Sequence, residues 1–286
     1  MQFNKMLKDS AKKFESIVCM GLDPVIERIP IEEGSIEDKI TEFYSRILDQ
    51  CEAENVFPSA VKPNYAFYAQ YGFQGIRALK KVIQKAREME LPVILDAKRN
   101  DIGNTVKAYV KESFEFFEAD SVTLNAFLGR DSIEPFLEEA RQGKGSYLLV
   151  RTSNPGAEDF QNLKVGKKFL FEVMAEKLIE WIEDCKGNVG AVVGATSLKE
   201  FELIAEKFML SRNEVPLLIP GVGAQGGTAS EVVKVLKENN YPLELVRINA
   251  SRSINYAFEK GNSKNYAEAA VNELKKMNEE INSFDF

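Results

Sequence analysis

Short apolar runs rich in β-branched residues alternate along this chain with longer stretches whose apolar positions recur every three or four residues. The first pattern is that of strands buried on both faces, the second that of amphipathic helices. Strand-type runs fall at 16–23, 58–64, 92–99, 120–126, 145–152, 189–196, 215–222 and 243–250. Helical periodicity fills the intervals. It begins with SIEDKITEFYSRILDQCEAE, where Ser35 can N-cap, and continues at about 73–90, 103–118, 131–142, 168–184, 198–210, 228–238 and 264–281. The opening residues MQFNKMLKDSAKKFES predict a short amphipathic helix leading into the first strand.

Eight βα units in 286 residues predict an α/β TIM (β/α)8 barrel, with 1–286 as a single domain. A doubly wound open parallel sheet is the alternative that the same alternation allows. The extra length sits mainly in PVIERIPIEEGS after the first strand and SNPGAEDFQNLKVGKK after the fifth. Long βα segments on the C-terminal face of a barrel usually cover a site.

Composition narrows the chemistry. Histidine is absent, so no Ser-His-Asp or Cys-His nucleophile system and no His-containing zinc site can be built. Proton transfer falls to Lys, Asp, Glu, Tyr or Cys. The three cysteines, Cys19, Cys51 and Cys185, are scattered and odd in number, which predicts free thiols and a cytoplasmic compartment. No apolar run is long enough to span a bilayer, and the N-terminus lacks the apolar stretch of a secretory signal. A net charge of -7 argues against a nucleic-acid surface, so an anionic ligand must find a local cluster of cations.

In a barrel the active site is assembled at the C-terminal ends of the strands. Those ends carry Asp23, Lys62 with Asn64, the run Asp96–Lys98–Asp101, Asn125, Thr152 with Ser153, Thr196, the glycine-rich PGVGAQGG from Pro220, and Ser251 with Arg252. Asp96 and Lys98, two apart on a strand, leave on one face, and Lys62 can reach them from the neighbouring strand. With Asp101 the expectation is two cations and two anions in alternation, which would keep Lys98 charged. A purely structural salt-bridge network is the plainer reading. Gly221, Gly223 and Gly226 have the spacing of a dinucleotide-binding turn, but on the seventh strand they fit a phosphate loop better. Gln225 and Arg252 would then hold the phosphate. Cys19 and Cys185 read as buried, Trp181 as part of a helix core stripe, and Lys80–Lys81 as a solvated face.

From GLDP at 21–24 to INASRS at 248–253 the chain resembles the orotidine 5'-phosphate decarboxylase family, in its longer-chain bacterial branch. The most specific piece is DAKRNDIGNT, which matches D-x-K-x-x-D-I-x-N-T. The resemblance implies decarboxylation of orotidine 5'-monophosphate to UMP in pyrimidine biosynthesis, with neither metal nor organic cofactor. It implies that Asp23 and Lys62 bind ribose hydroxyls, and that Asp96 lies against the substrate carboxylate. Lys98 would stabilise and then protonate the C6 carbanion, and Ser153 would contact the pyrimidine. Gln225 and Arg252 would grip the phosphate, beside Ser251 where many members have glycine. Asp101 and Thr105 would enter the neighbouring subunit's site, making a homodimer with shared active sites. Rival readings are a Mg²⁺-dependent sugar-phosphate decarboxylase or aldolase of the same superfamily, a Schiff-base aldolase using Lys98 or Lys62, and a nucleotide-sensing barrel without turnover.

Overall fold

The computed structural model describes residues 2–211, 213–222, 227–261, 263 and 265–283. Its sheet contains β1 (Val18–Leu22), β2 (Ala60–Pro63), β3 (Ile94–Arg99), β4 (Ser121–Leu124), β5 (Gly145–Arg151), β6 (Val189–Val193), β7 (Leu217–Ile219) and β8 (Val246–Ala250). Every neighbouring pair is parallel and in chain order, and β8 returns to β1 through Val18↔Ile248. β2 and β3 meet through the bridges Val61↔Val93 and Asn64↔Asp96, which close the ring. The open doubly wound alternative is thereby set aside.

Around the ring run α1 (Phe3–Phe14), α2 (Ile36–Glu54), α3 (Tyr65–Ala69), α4 (Gly72–Glu88), α5 (Gly103–Lys111), α6 (Glu134–Gln142), α7 (Leu170–Trp181), α8 (Leu198–Met209), α9 (Ala229–Glu238), α10 (Arg252–Asn255), α11 (Ala257–Gly261) and α12 (Tyr266–Asn282). Ser35 caps α2 as the sequence predicts: its Oγ accepts from Asp38 N–H while the Asp38 carboxylate accepts from Ser35 N–H. The helix expected at 103–118 is divided, with a π-helical turn at Glu112–Phe116. There Glu112 leaves the helix face to take a two-pronged ion pair from Arg99. The strand expected from 243 begins only at Val246, because Leu243–Leu245 form a 3-10 turn behind Pro242. In the segment after β5, Lys164–Val165 and Lys168–Phe169 form an antiparallel hairpin. The strand ladder and its helical sheath make one barrel.

Two apolar cores follow from strands buried on both faces. The larger lies between strands and helices. The smaller is inside the ring, where Cys19, Ala60, Ile94, Tyr147, Val192 and Leu218 meet Phe3 and Leu7 of α1. α1 is therefore a plug in the N-terminal end of the barrel, and its Phe3 ring stands edge-on to Tyr147 with centroids 5.8 Å apart. Gly145 permits this, since a Cβ there would lie 2.3 Å from Phe3 Cδ1. Arg247 is fully buried at the same end. Its Nη2 donates to Leu7 O at 2.6 Å and to Ser10 Oγ at 2.8 Å. Cys19 and Cys185 are buried, Trp181 packs half-buried on the core, and Lys81 pairs with Glu37 on the surface, as the sequence suggests.

Candidate active site

At the opposite end of the ring a cavity of about 350 Å³ opens among the C-terminal ends of the strands. Lys62, Asp96 and Lys98 line its charged side, while Leu149, Val192 and Leu218 form an apolar floor. The floor continues directly into the plug core, so the cavity is closed below and open above.

The charged side is held together by one carboxylate. Asp96 Oδ2 accepts from Lys62 Nζ at 2.9 Å, and its Oδ1 accepts from Lys98 Nζ at 2.7 Å. The Lys62 and Asp96 side chains are 6% and 10% exposed, whereas Lys98 is 48% exposed and presents its ammonium to the cavity. Burial alone would neutralise Asp96, but the charges and hydrogen bonds of Lys62 and Lys98 outweigh it and hold the carboxyl well below the usual carboxylate range. Burial likewise opposes the Lys62 charge. Asp96 first and Asp23 second overcome it and raise the ammonium above its ordinary value. Lys62 and Asp96 are thus both ionised at neutral pH.

Lys98 does not reach Asp96 by the regular strand geometry that its i, i+2 spacing suggests. Its φ is +45°, in the left-handed region, and the β3–β4 register slips between Leu95↔Val122 and Arg99↔Leu124. Three residues of β3, Asp96 to Lys98, stand opposite Thr123 alone. The bulge turns the Lys98 side chain back over Asp96.

The four-charge alternation expected from sequence contracts to three members within one chain. Asp101 lies beyond the bulge, and its Oδ1 accepts from Ile102 N–H at 2.8 Å. Between the array and Asp101, Arg99 pairs with Glu112 and lies against the Tyr65 and Tyr109 rings. Thr105 is exposed on the first turns of α5.

The remaining predicted residues gather around the cavity to different degrees. Ser153 and Pro220 line it. Asp23 Oδ1, at the end of β1, is buried without a partner. Ser251 packs on Gly21, where a Cβ would lie 1.8 Å from Ser251 Oγ, so glycine on β1 is what lets the β8 end approach. Arg252 is exposed at the first position of α10. Gly223, Gln225 and Gly226 lie outside the described residues.

Three polar cavity residues escaped the sequence reading: Asn154 after β5, Asn249 and Thr123. Asn249, on β8, lines the cavity with a buried Oδ1 that has no partner. Thr123 lines it from β4 and bonds to both Asp96 and Lys98. The signal for Thr123 was the alternation Ser121-Val122-Thr123-Leu124-Asn125, whose polar positions share one strand face. Among the described residues, no three Asp, Glu or Cys side chains are grouped so as to hold a metal ion. No helix there is long and apolar enough to cross a membrane.

This geometry has counterparts. The family model for the orotidine 5'-phosphate decarboxylase / HUMPS family matches residues 16–263. The chain is 37% identical to an orotidine 5'-phosphate decarboxylase of Caldicellulosiruptor saccharolyticus, covering 99% of both chains. It is 39% identical to one from Dehalococcoides mccartyi, over 99% of this chain and 98% of the other. Among solved structures it resembles a Toxoplasma gondii protein described as an orotidine-monophosphate-decarboxylase, with a TM-score of 0.82, 30% identity and coverage of 99% and 98%. The OMP decarboxylase of Leishmania donovani gives a TM-score of 0.78 at 29% identity, covering 98% of this chain and 99% of that one. With the two lysines and one aspartate meeting at the mouth of the same barrel, this chain belongs to the orotidine 5'-phosphate decarboxylase family.

Proposed function

We propose that Lys98 carries the chemistry by which this chain, acting as one catalytic domain, converts orotidine 5'-monophosphate into UMP and CO2. The observation behind this reading is the Lys62–Asp96–Lys98 array, in which the outermost cation is fixed by a buried carboxylate and faces the cavity. When the C6–carboxylate bond breaks, the electron pair stays on C6 and CO2 departs. An ammonium held beside that carbon stabilises the charge most in the transition state. Lys98 then gives its proton to C6 and regains one from water. No electron sink is needed, so the reaction calls for neither metal nor organic cofactor.

The other roles are those that the family resemblance implies. Asp96 faces the substrate carboxylate. Asp23, with its unpartnered buried oxygen, and Lys62 take ribose hydroxyls. Ser153 and Pro220 border the pyrimidine, while Gln225, Arg252 and the Ser251 N–H take the phosphate. A decarboxylation assay with orotidine 5'-monophosphate, followed spectrophotometrically with and without EDTA, tests the reading. Full turnover in EDTA is expected. Loss of activity in EDTA would favour the Mg²⁺-dependent sugar-phosphate branch, and a folded but inactive sample would sink the proposal.

The same reading makes the enzyme a cytoplasmic homodimer in which Asp101 and Thr105 complete the partner's site. In support, Thr105 is exposed and Asp101 partly so, beside exposed Ile102. Mixing inactive Lys98→Ala and Asp101→Ala chains should restore about a quarter of wild-type activity, because each mixed dimer regains one intact site. No recovery on mixing would place Asp101 in its own chain's site.

A further inference from the structure

One hydroxyl in the site has two partners, and both belong to the reacting array. Thr123 is 1% exposed, and its Oγ1 donates to Asp96 Oδ1 at 2.9 Å. The same oxygen accepts from the backbone N–H of Lys98 at 2.9 Å. That N–H lies within the β3 bulge, where the ladder to β4 is interrupted; the ladder resumes when Asn125 N–H donates to Arg99 O at 3.0 Å. The hydroxyl therefore takes the place of a missing backbone acceptor. Without it a part-buried N–H would go unpaired, beside a lysine already held at φ +45°.

A left-handed conformation at a residue with a long side chain persists only where its surroundings impose it. Here the imposed backbone aims the Lys98 side chain at Asp96, and the hydrogen bond to Asp96 fixes the carboxylate that receives it. One side chain thus sets both ends of the Lys98–Asp96 contact. We infer that Thr123 is a positioning residue for the decarboxylation: its hydroxyl locks the Lys98 bulge and the Asp96 carboxylate into a single arrangement. Thr123 touches no reacting atom; it acts through those two residues. The inference rests on the assignment of Lys98 as the group that meets C6.

The test compares Thr123→Val, Thr123→Ala and Thr123→Ser with the intact enzyme and with Lys98→Ala. Valine keeps the volume and alanine does not, yet both remove the hydroxyl; serine keeps it. A misplacement of about 1 Å at a reacting group can cost roughly 100-fold. Val and Ala should therefore each lower kcat by about 10- to 100-fold, with KM and UMP affinity within about 3-fold of wild type. Serine should recover kcat to within about 3-fold. Urea unfolding midpoints, measured alongside, separate positioning from stability. The alanine and serine pair carries the test if valine fails to fold.

Wild-type kcat in Val or Ala, a loss confined to KM, or a serine variant as slow as alanine would each overturn the inference. If Lys98→Ala keeps its turnover, the assignment of Lys98 is what fails. If Lys98→Ala is inactive while Val and Ala turn over normally, only the role given to Thr123 is wrong.

Discussion

The two ends of the barrel each bury a cation and treat it differently. At the mouth, Lys62 is set against Asp96, and its charge is favoured more strongly than in water. At the plugged end, Arg247 has carbonyl and hydroxyl acceptors, and among the described residues no carboxylate pairs with it. Burial pulls that guanidinium down, to about 10. Charge at the mouth is kept in an alternating array that a substrate can enter. Charge at the plug is absorbed into the neutral polar groups of α1 and β8, where its work is to tie the plug down. On the proposed function, the difference separates activity from stability along the barrel axis, as expected of a fold whose sites lie at the C-terminal ends of its strands.

Substitutions can test that separation. The largest effect is expected for Lys98→Ala, which should lower kcat on the order of 10³-fold or more while leaving UMP affinity within about tenfold. Isothermal titration alongside turnover assays measures both. Asp96→Asn should harm both properties at once, because it leaves buried Lys62 without its principal counter-charge. Turnover should fall on the order of 10²-fold or more, and about 3–5 kcal/mol of stability should be lost. Denaturant titration reads the second quantity.

At the other end the pattern should invert. Phe3→Ala empties the plug and should cost about 3–5 kcal/mol, with kcat per folded molecule unchanged. Arg247→Met should cost about 1–3 kcal/mol by removing the buried hydrogen bonds to Leu7 O, Ser10 Oγ and Val246 O, again without a change in kcat. A kcat loss in either variant beyond the unfolded fraction would mean that the two ends are coupled.

The smallest effect concerns pH. Asp96 titrates below its unfolded value of about 3.9, so its stabilisation is present above that value and lost as pH falls through the folded one. Lys62 titrates above its unfolded value of about 10.4, so its stabilisation is present below that value and lost as pH rises through the folded one. Between about pH 5 and pH 10 the Lys62–Asp96 pair should contribute constant stability, and unfolding midpoints across that window should show no step from either group.

How legible all this was in the sequence varies by feature. The eight strands were legible because strands buried on both faces write continuous apolar runs, and the helix caps because they depend on neighbouring residues such as Ser35 and Asp38. The strand ends named the rim, and the absence of histidine left lysine, the carboxylates, tyrosine and cysteine as proton carriers. Those conclusions rest on local patterns and composition alone. Ring closure did not, since the bridges of β2 to β3 join residues whose pairing no local period records.

The charged array shows the same division. Asp96, Lys98 and Lys62 could be picked out by residue type and spacing, but the bulge that joins them could not. A φ of +45° at Lys98 depends on an acceptor 25 residues away, on Thr123. The same holds for Asp101, which in the folded chain bonds to the Ile102 N–H and makes no hydrogen bond or ion pair with its own chain's array. Sequence fixes which groups are available and on which strand they end. Their distances and directions are set by register, bulges and long-range hydrogen bonds, which exist only once the ring has closed.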